Sequence, residues 1–251
     1  MLNDLLLLSG NDIPFPEARL VIHQPTIKEI AYIGEEAFFN GCEFLKFTKN
    51  NLPEEDRSRL ENITNFEILM SIMKEKNPVS LRNKACVQMI LSLLFPTYEI
   101  QLDFIGMQIK FTKGEESFSI NKQNFETFKS ILEDIFCLGG SKSDYNPSGE
   151  MARKIAEKLR ARQQKLAQAK GNQKVAILSR YVSILAVGEN KDMNQLFQYT
   201  VYQLFDEFGR YQLKIQSDLY IDAQLAGAKG SDEVEDWMKD IHSDVDDDLG
   251  F

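Results

Sequence analysis

Few residues in this chain have the types and spacing for catalysis. There are only two histidines, His23 just ahead of a proline and His242 in an acidic tail, which is poor material for an imidazole acid–base pair. The sequence holds no glycine-rich phosphate loop, no G-x-S-x-G elbow and no H-E-x-x-H helix. Cys42, Cys86 and Cys137 are odd in number, lack C-x-x-C spacing and each sit among apolar residues at helical intervals. They read as buried, unpaired thiols rather than a disulfide framework or a zinc site. Asp244, Asp246 and Asp248 alternate as the first three ligands of an EF-hand do, but Leu249 stands where that loop needs its glycine and no bidentate glutamate follows. The tail reads as a solvated acidic segment, and the chain as a non-enzyme without cofactor or bound metal.

Binding chemistry is better represented. Residues 150–170 carry seven Lys or Arg against two Glu, around a narrow seam of Met151, Ile155, Leu159 and Leu166. Residues 232–248 hold nine Asp or Glu and one Lys, so the two segments have the charges to attract one another within or between chains. The net charge of -9 and pI near 4.9 argue against a nucleic-acid partner, because phosphate contacts need a basic face. No apolar run approaches the length of a membrane span, and the opening MLNDLLLLSG is short and lacks the basic leader of a signal peptide. No membrane partner is expected, and the expected compartment is the cytoplasm.

The most informative stretch is LFQYTVYQLFDEF, residues 196–208. Read as part of one helix over 192–227, it places Leu196, Thr200, Val201, Leu204 and Phe208 on a core-facing stripe that continues through Tyr211, Ile215 and Leu219. Tyr199, Tyr202, Leu213 and Tyr220 come round on nearly the opposite side. A second apolar side suits either a helix covered on both faces by the rest of the chain, residues 149–187 on one and the N-terminal domain on the other, or a partner, whether a helical protein client or another copy of the chain. Val234, Trp237, Met238 and Ile241 form the apolar side of a further short segment, which can dock on its own domain or in another protein's groove, with Trp237 and Met238 as its anchors in the second case.

The elements that position these residues are mostly helical. ARLVIH at 18–23 predicts a strand, and Thr26 with Glu29 makes a capping box that opens a helix running to Leu45. Residues 50–55 read as a loop. A second capping box, Thr64 with Glu67, opens a helix that Pro78 ends, and Ser80 heads the buried helix after it. From Tyr98 the period changes to two, predicting a small antiparallel hairpin over 98–120, and Asn121 can cap the helix of Phe125, Phe128, Ile131, Leu132 and Ile135. GGSKSDYNPSG at 139–149 has linker composition. Helices are predicted at 149–170, 173–187 and 192–227, the last opened by Asp192 with Gln195. The fold class is therefore mainly α, with an α+β domain over 1–138, a linker over 139–149, an all-helical domain over 150–229 and an acidic tail over 230–251.

The run ILSRYVSILAVGENKDMNQLFQYTVYQLFDEFGRYQ, the segment EVEDWMKDIH and HQPTIKEIAYIGEEAFF near the start resemble proteins of tailed-bacteriophage virion assembly, specifically tail assembly chaperones and related morphogenesis proteins. The resemblance implies a helical, non-enzymatic protein that coats the tape measure protein while the tail tube polymerises, in the cytoplasm of the host cell. In many such proteins a longer form arises by translational frameshifting. The alternative it implies is a structural component of the virion, in the neck, tail or baseplate. No catalytic motif is shared, so the resemblance assigns no residue a role.

Overall fold

In a computed structural model of the protein, residues 2–51, 54–60, 62–138, 176–226 and 238 are described. The chain divides into two units, one formed by Met1–Gly139 with Lys191–Gln203 and the other by Gly140–Asn190 with Leu204–Phe251. The expected linker at 139–149, the basic helix at 149–170 and the acidic tail lie outside the described residues, as does Trp237. The fold is mainly helical with two small antiparallel sheets in the N-terminal region.

The first unit begins with a short helix α1 (Asp4–Ser9), whose N-terminal amide at Leu5 is taken by the Asn3 side chain at 2.9 Å. A hairpin follows, β1 (Ile13–Phe15) paired with β2 (Leu20–Ile22) in the register Ile13 to Ile22 and Phe15 to Leu20. The sequence reading anticipated only the second of these strands. Pro16 opens a 3-10 turn between them, which hides the pairing from a search for regular strand spacing.

The helix expected from Thr26 to Leu45 is two helices, α2 (Ile27–Ile33) and α3 (Glu35–Leu45). Gly34 separates them with a φ of 84°, a backbone angle that no right-handed helix can contain. The expected loop at 50–55 contains a 3-10 turn, Lys49–Asn51, and the start of α4 (Glu54–Arg59). The Thr64–Glu67 box opens α5 (Asn65–Lys74), as its spacing predicts. Pro78 does not end this region of helix; it begins the next one, α6 (Pro78–Leu94). Proline lacks an amide hydrogen that the first helical position does not use, and Asn77, not Ser80, is the cap, accepting from the Ser80 amide at 2.8 Å.

The hairpin expected over 98–120 is a three-stranded meander of β3 (Glu99–Asp103), β4 (Gln108–Lys113) and β5 (Glu116–Ile120). Ile109 and Phe111 alternate inward from β4, with Phe111 facing Ile100 on one side and Phe118 on the other. Helix α7 (Phe125–Ile135) then lays Phe125, Phe128, Ile131, Leu132 and Ile135 into the core, all five as read from their spacing. Its capping differs from the expected one: the Asn124 side chain accepts from the Asn121 amide at 2.8 Å, and Asn121 tightens the turn before the helix.

Phenylalanine holds this core together. Phe128 meets Phe15 at 6.1 Å, Phe95 at 6.0 Å and Phe125 at 6.4 Å, Phe95 meets Phe111 at 4.5 Å, and Phe66 meets Phe125 at 4.9 Å, so rings from both sheets, from α5 and α7 and from the residue that ends α6 are in one cluster. Each such side chain buries a large apolar area, and tilted or edge-on geometry adds about 0.5–1.5 kcal/mol per pair beyond that burial.

In the second unit, α8 (Ile177–Gly188) buries Leu178, Val182 and Leu185. Its Tyr181 ring stacks on Phe208 at 3.7 Å and meets Phe205 edge-on at 5.2 Å. Gly188 ends the helix beneath the Tyr211 hydroxyl, in space that a β-carbon would need.

Candidate functional site

The candidate site begins where the long C-terminal helix was expected to be continuous and is not. Asp192 caps a single turn, α9 (Met193–Leu196), accepting from the Asn194 amide at 2.9 Å. The chain then leaves the helix, and α10 (Val201–Leu225) starts afresh. The restart is a third capping box: the Gln203 amide donates to Thr200 Oγ1 at 3.2 Å, and the Gln203 side chain accepts from the Thr200 amide at 2.9 Å. The T-x-x-Q signal of TVYQ lies inside an unbroken apolar period, which masks it.

The turn before Thr200 has a structural task. Helix α2 starts opposite it, with Thr26 and Thr200 forming an antiparallel bridge. The first two amides of α2, at Ile27 and Lys28, have no partner within their own helix. They donate to the Tyr199 and Phe197 carbonyls at 2.8 and 2.9 Å. The third, at Glu29, donates to Thr26 Oγ1 at 3.2 Å, while the Glu29 carboxylate accepts from the Thr26 amide and hydroxyl. Burial pushes the Glu29 carboxyl up, and these Thr26 donors together with His23 outweigh it, holding the group below its ordinary value.

These contacts decide the positions of the six residues singled out from the sequence. Tyr199 is not on α10; it is half-buried in the turn, with Lys191 Nζ 3.4 Å from its hydroxyl. Tyr202 is 3% exposed, and its hydroxyl donates to Asp4 at 3.2 Å. It belongs to the packing of the first unit and offers no surface, contrary to its assignment to a partner-facing side. Leu213 and Tyr220 do lie on the same side of α10 as Tyr202, at separations of about three and five helical turns, and both are half-buried. The Tyr220 hydroxyl accepts from Gln224 at 2.7 Å. Met238 is exposed, and Trp237 lies outside the described residues. Of the five that are described, Tyr199 and Tyr202 belong to the first unit and Leu213, Tyr220 and Met238 to the second.

A group of residues assigned to the core stripe emerges instead. Leu204 is 0% exposed and Phe208 9%, whereas Ile215 is 37% and Leu219 64% exposed along the same stripe. Beyond them Ile221 and Leu225, one turn apart, are also exposed. The periodicity that marks a core face continues after the core has ended, so spacing alone could not separate the buried part from the uncovered part.

No comparable arrangement of reactive groups is present among the described residues. His23 sits between Asp12, 2.8 Å from Nδ1, and Glu29, 3.4 Å from Nε2, and so ties the β-hairpin to the cap of α2. Burial, reinforced by Glu43, pushes the Cys42 thiol far above its usual range, the reverse of an activated nucleophile. No group of three or more His, Cys, Asp or Glu among the described residues is placed to hold a metal ion. None of the described helices is long and apolar enough to cross a membrane.

Residues 169–242 match the family model described as YomV second domain. No curated protein and no solved structure matches the chain. The matched family is phage-associated, and the match supports a phage-related protein. It spans α8, α9 and α10 and runs on through Trp237.

Proposed function

We propose that this phage-related protein is a non-enzymatic assembly factor, a tail assembly chaperone that binds a helical protein client of the tape measure kind in the host cytoplasm. The observation that carries the reading is the far half of α10. Ile215, Leu219, Ile221 and Leu225 are exposed there, and Leu213 and Tyr220 add half-covered apolar surface on another side of the same helix. Clustered apolar side chains on a solvent-facing helix cost solubility, and a client that lays its own apolar stripe against them removes that surface from water at about 25 cal/mol per Å². Trp237 and Met238 complete the proposed contact. The match of residues 169–242 to a phage-associated family supports the setting.

The test is co-expression with the phage's own tape measure protein. The wild-type chain should co-purify with it, and a Leu213→Ser/Tyr220→Ser variant with unchanged helicity should not. Mass spectrometry of purified particles then separates a chaperone, absent from the finished virion, from a neck, tail or baseplate component, which is retained.

A further inference from the structure

A neutral imidazole carries one N–H and presents a lone pair at its other nitrogen; only the imidazolium donates from both. The His23 ring faces a carboxylate at each nitrogen, Asp12 2.8 Å from Nδ1 and Glu29 3.4 Å from Nε2. An ionised carboxylate accepts and does not donate. Whichever tautomer the neutral ring adopts, one of these contacts therefore sets a lone pair against an anion, and the arrangement is satisfied only with both nitrogens protonated. Asp12 and Glu29 are the charged side chains that touch this ring among the described contacts. Strands β1 and β2 are uncharged, and α6 reaches this residue through the Leu94 carbonyl, which accepts from the His23 amide at 2.8 Å at the helix end that itself favours a cation.

The ring sits at a junction. Asp12 precedes the β1–β2 hairpin, and the Glu29 carboxylate that meets Nε2 also accepts from the Thr26 amide and hydroxyl where α2 opens. Thr26 is bridged to Thr200, and beside it the Ile27 and Lys28 amides donate to the Tyr199 and Phe197 carbonyls. All of these groups belong to the unit of Met1–Gly139 with Lys191–Gln203. The charge of the ring orients Glu29, Glu29 orients Thr26, and Thr26 begins the backbone pairing that seats residues 197–200.

We propose that His23 is a proton-operated clasp: as the imidazolium it holds Asp12 and Glu29 together and keeps the start of α2 set to receive residues 197–200, and on losing a proton it releases Glu29 and loosens that seating. Nδ1, with the shorter contact, keeps its proton and stays with Asp12, while the proton on Nε2 passes to water. The clasp is thus closed on the acid side of the range in which histidines change charge, about pH 5 to 8, and opens as pH rises through it. This is opposite in sign to the loss of the Glu29 carboxylate in acid, so the clasp is complete only between the two.

Nitrogen-15 NMR of the full-length chain tests this, with His242→Gln used to assign the ring, since His242 is the other histidine. At the acid end of the range both His23 ring nitrogens should carry protons. As pH rises Nε2 should lose its proton, the Ile27 and Lys28 amide signals should move in step with it, and the protection of those two amides, corrected for intrinsic exchange, should fall several-fold. In His23→Gln, which keeps a polar group but no titrating proton, the same amides should not respond over that range. Asp12→Asn, which removes one of the two anions, should move the ring titration and the amide response together to lower pH, and it serves if His23→Gln does not fold. A ring titration that leaves Ile27 and Lys28 unmoved would overturn the proposal. So would the same amide response in His23→Gln, or a midpoint that Asp12→Asn does not change.

Discussion

The two ends of α10 carry similar residues in different circumstances. At the near end Tyr202 is buried, its hydroxyl donating to Asp4, and Gln203 binds both the Thr200 cap and the Leu8 carbonyl, the latter at 2.7 Å. At the far end Tyr220 has the same position around the helix, yet its hydroxyl meets only a neighbouring glutamine among the hydrogen bonds described, and Leu219 and Ile221 beside it are exposed. An apolar side chain reports the core only where other elements reach it. The near end is therefore where packing is concentrated, and the far end is where apolar side chains stay exposed.

That contrast breaks most visibly at Tyr202. Tyr202→Ser should cost about 3–5 kcal/mol in chemical denaturation, the scale of a buried aromatic truncated in a packed core. Thr200→Ala removes the hydroxyl that caps α10 and should cost about 1 kcal/mol, read as a drop in melting temperature and faster hydrogen exchange at 201–204.

A smaller effect is expected on acidification. The folded-state pKa of Glu29 lies below its ordinary value of 4.5, so its contribution is complete above about that pH and is lost as pH falls through the lower, folded value. Glu29→Gln should flatten this acid limb of stability, measured by urea denaturation at a series of pH values. At the far end, Leu219→Ser should change stability by no more than about 0.5 kcal/mol in either direction, since the side chain has little packing to lose. A loss at Leu219 as large as that at Tyr202 would erase the distinction between the two ends.

Local signals were legible in the sequence and non-local ones were not. The Thr26 and Thr64 boxes could be read because a capping box needs only four consecutive residues. The α7 stripe was legible because its five inward residues keep one helical period. The same period misled at Thr200, where a helix stops and restarts in nearly the same phase. The break at Gly34 is hidden for a related reason, since apolar residues on either side of it continue a helical spacing that its positive φ interrupts. Burial along α10 was beyond reach from spacing. Leu204 and Leu219 are the same residue type on one stripe, and only the reach of the surrounding elements makes one 0% and the other 64% exposed.

The central claim, that the far half of α10 binds a client and the near half builds the fold, is tested most directly by measuring melting and co-purification together for Tyr202→Ser and for Leu213→Ser/Tyr220→Ser. The account predicts a large loss of stability for the first. For the second it predicts near-wild-type melting with loss of the tape measure protein from the purified complex. If the second variant instead melts as early as Tyr202→Ser, or if it melts normally and still retains its client and a Leu219→Ser/Leu225→Ser variant does so too, the far half of α10 is not the binding face.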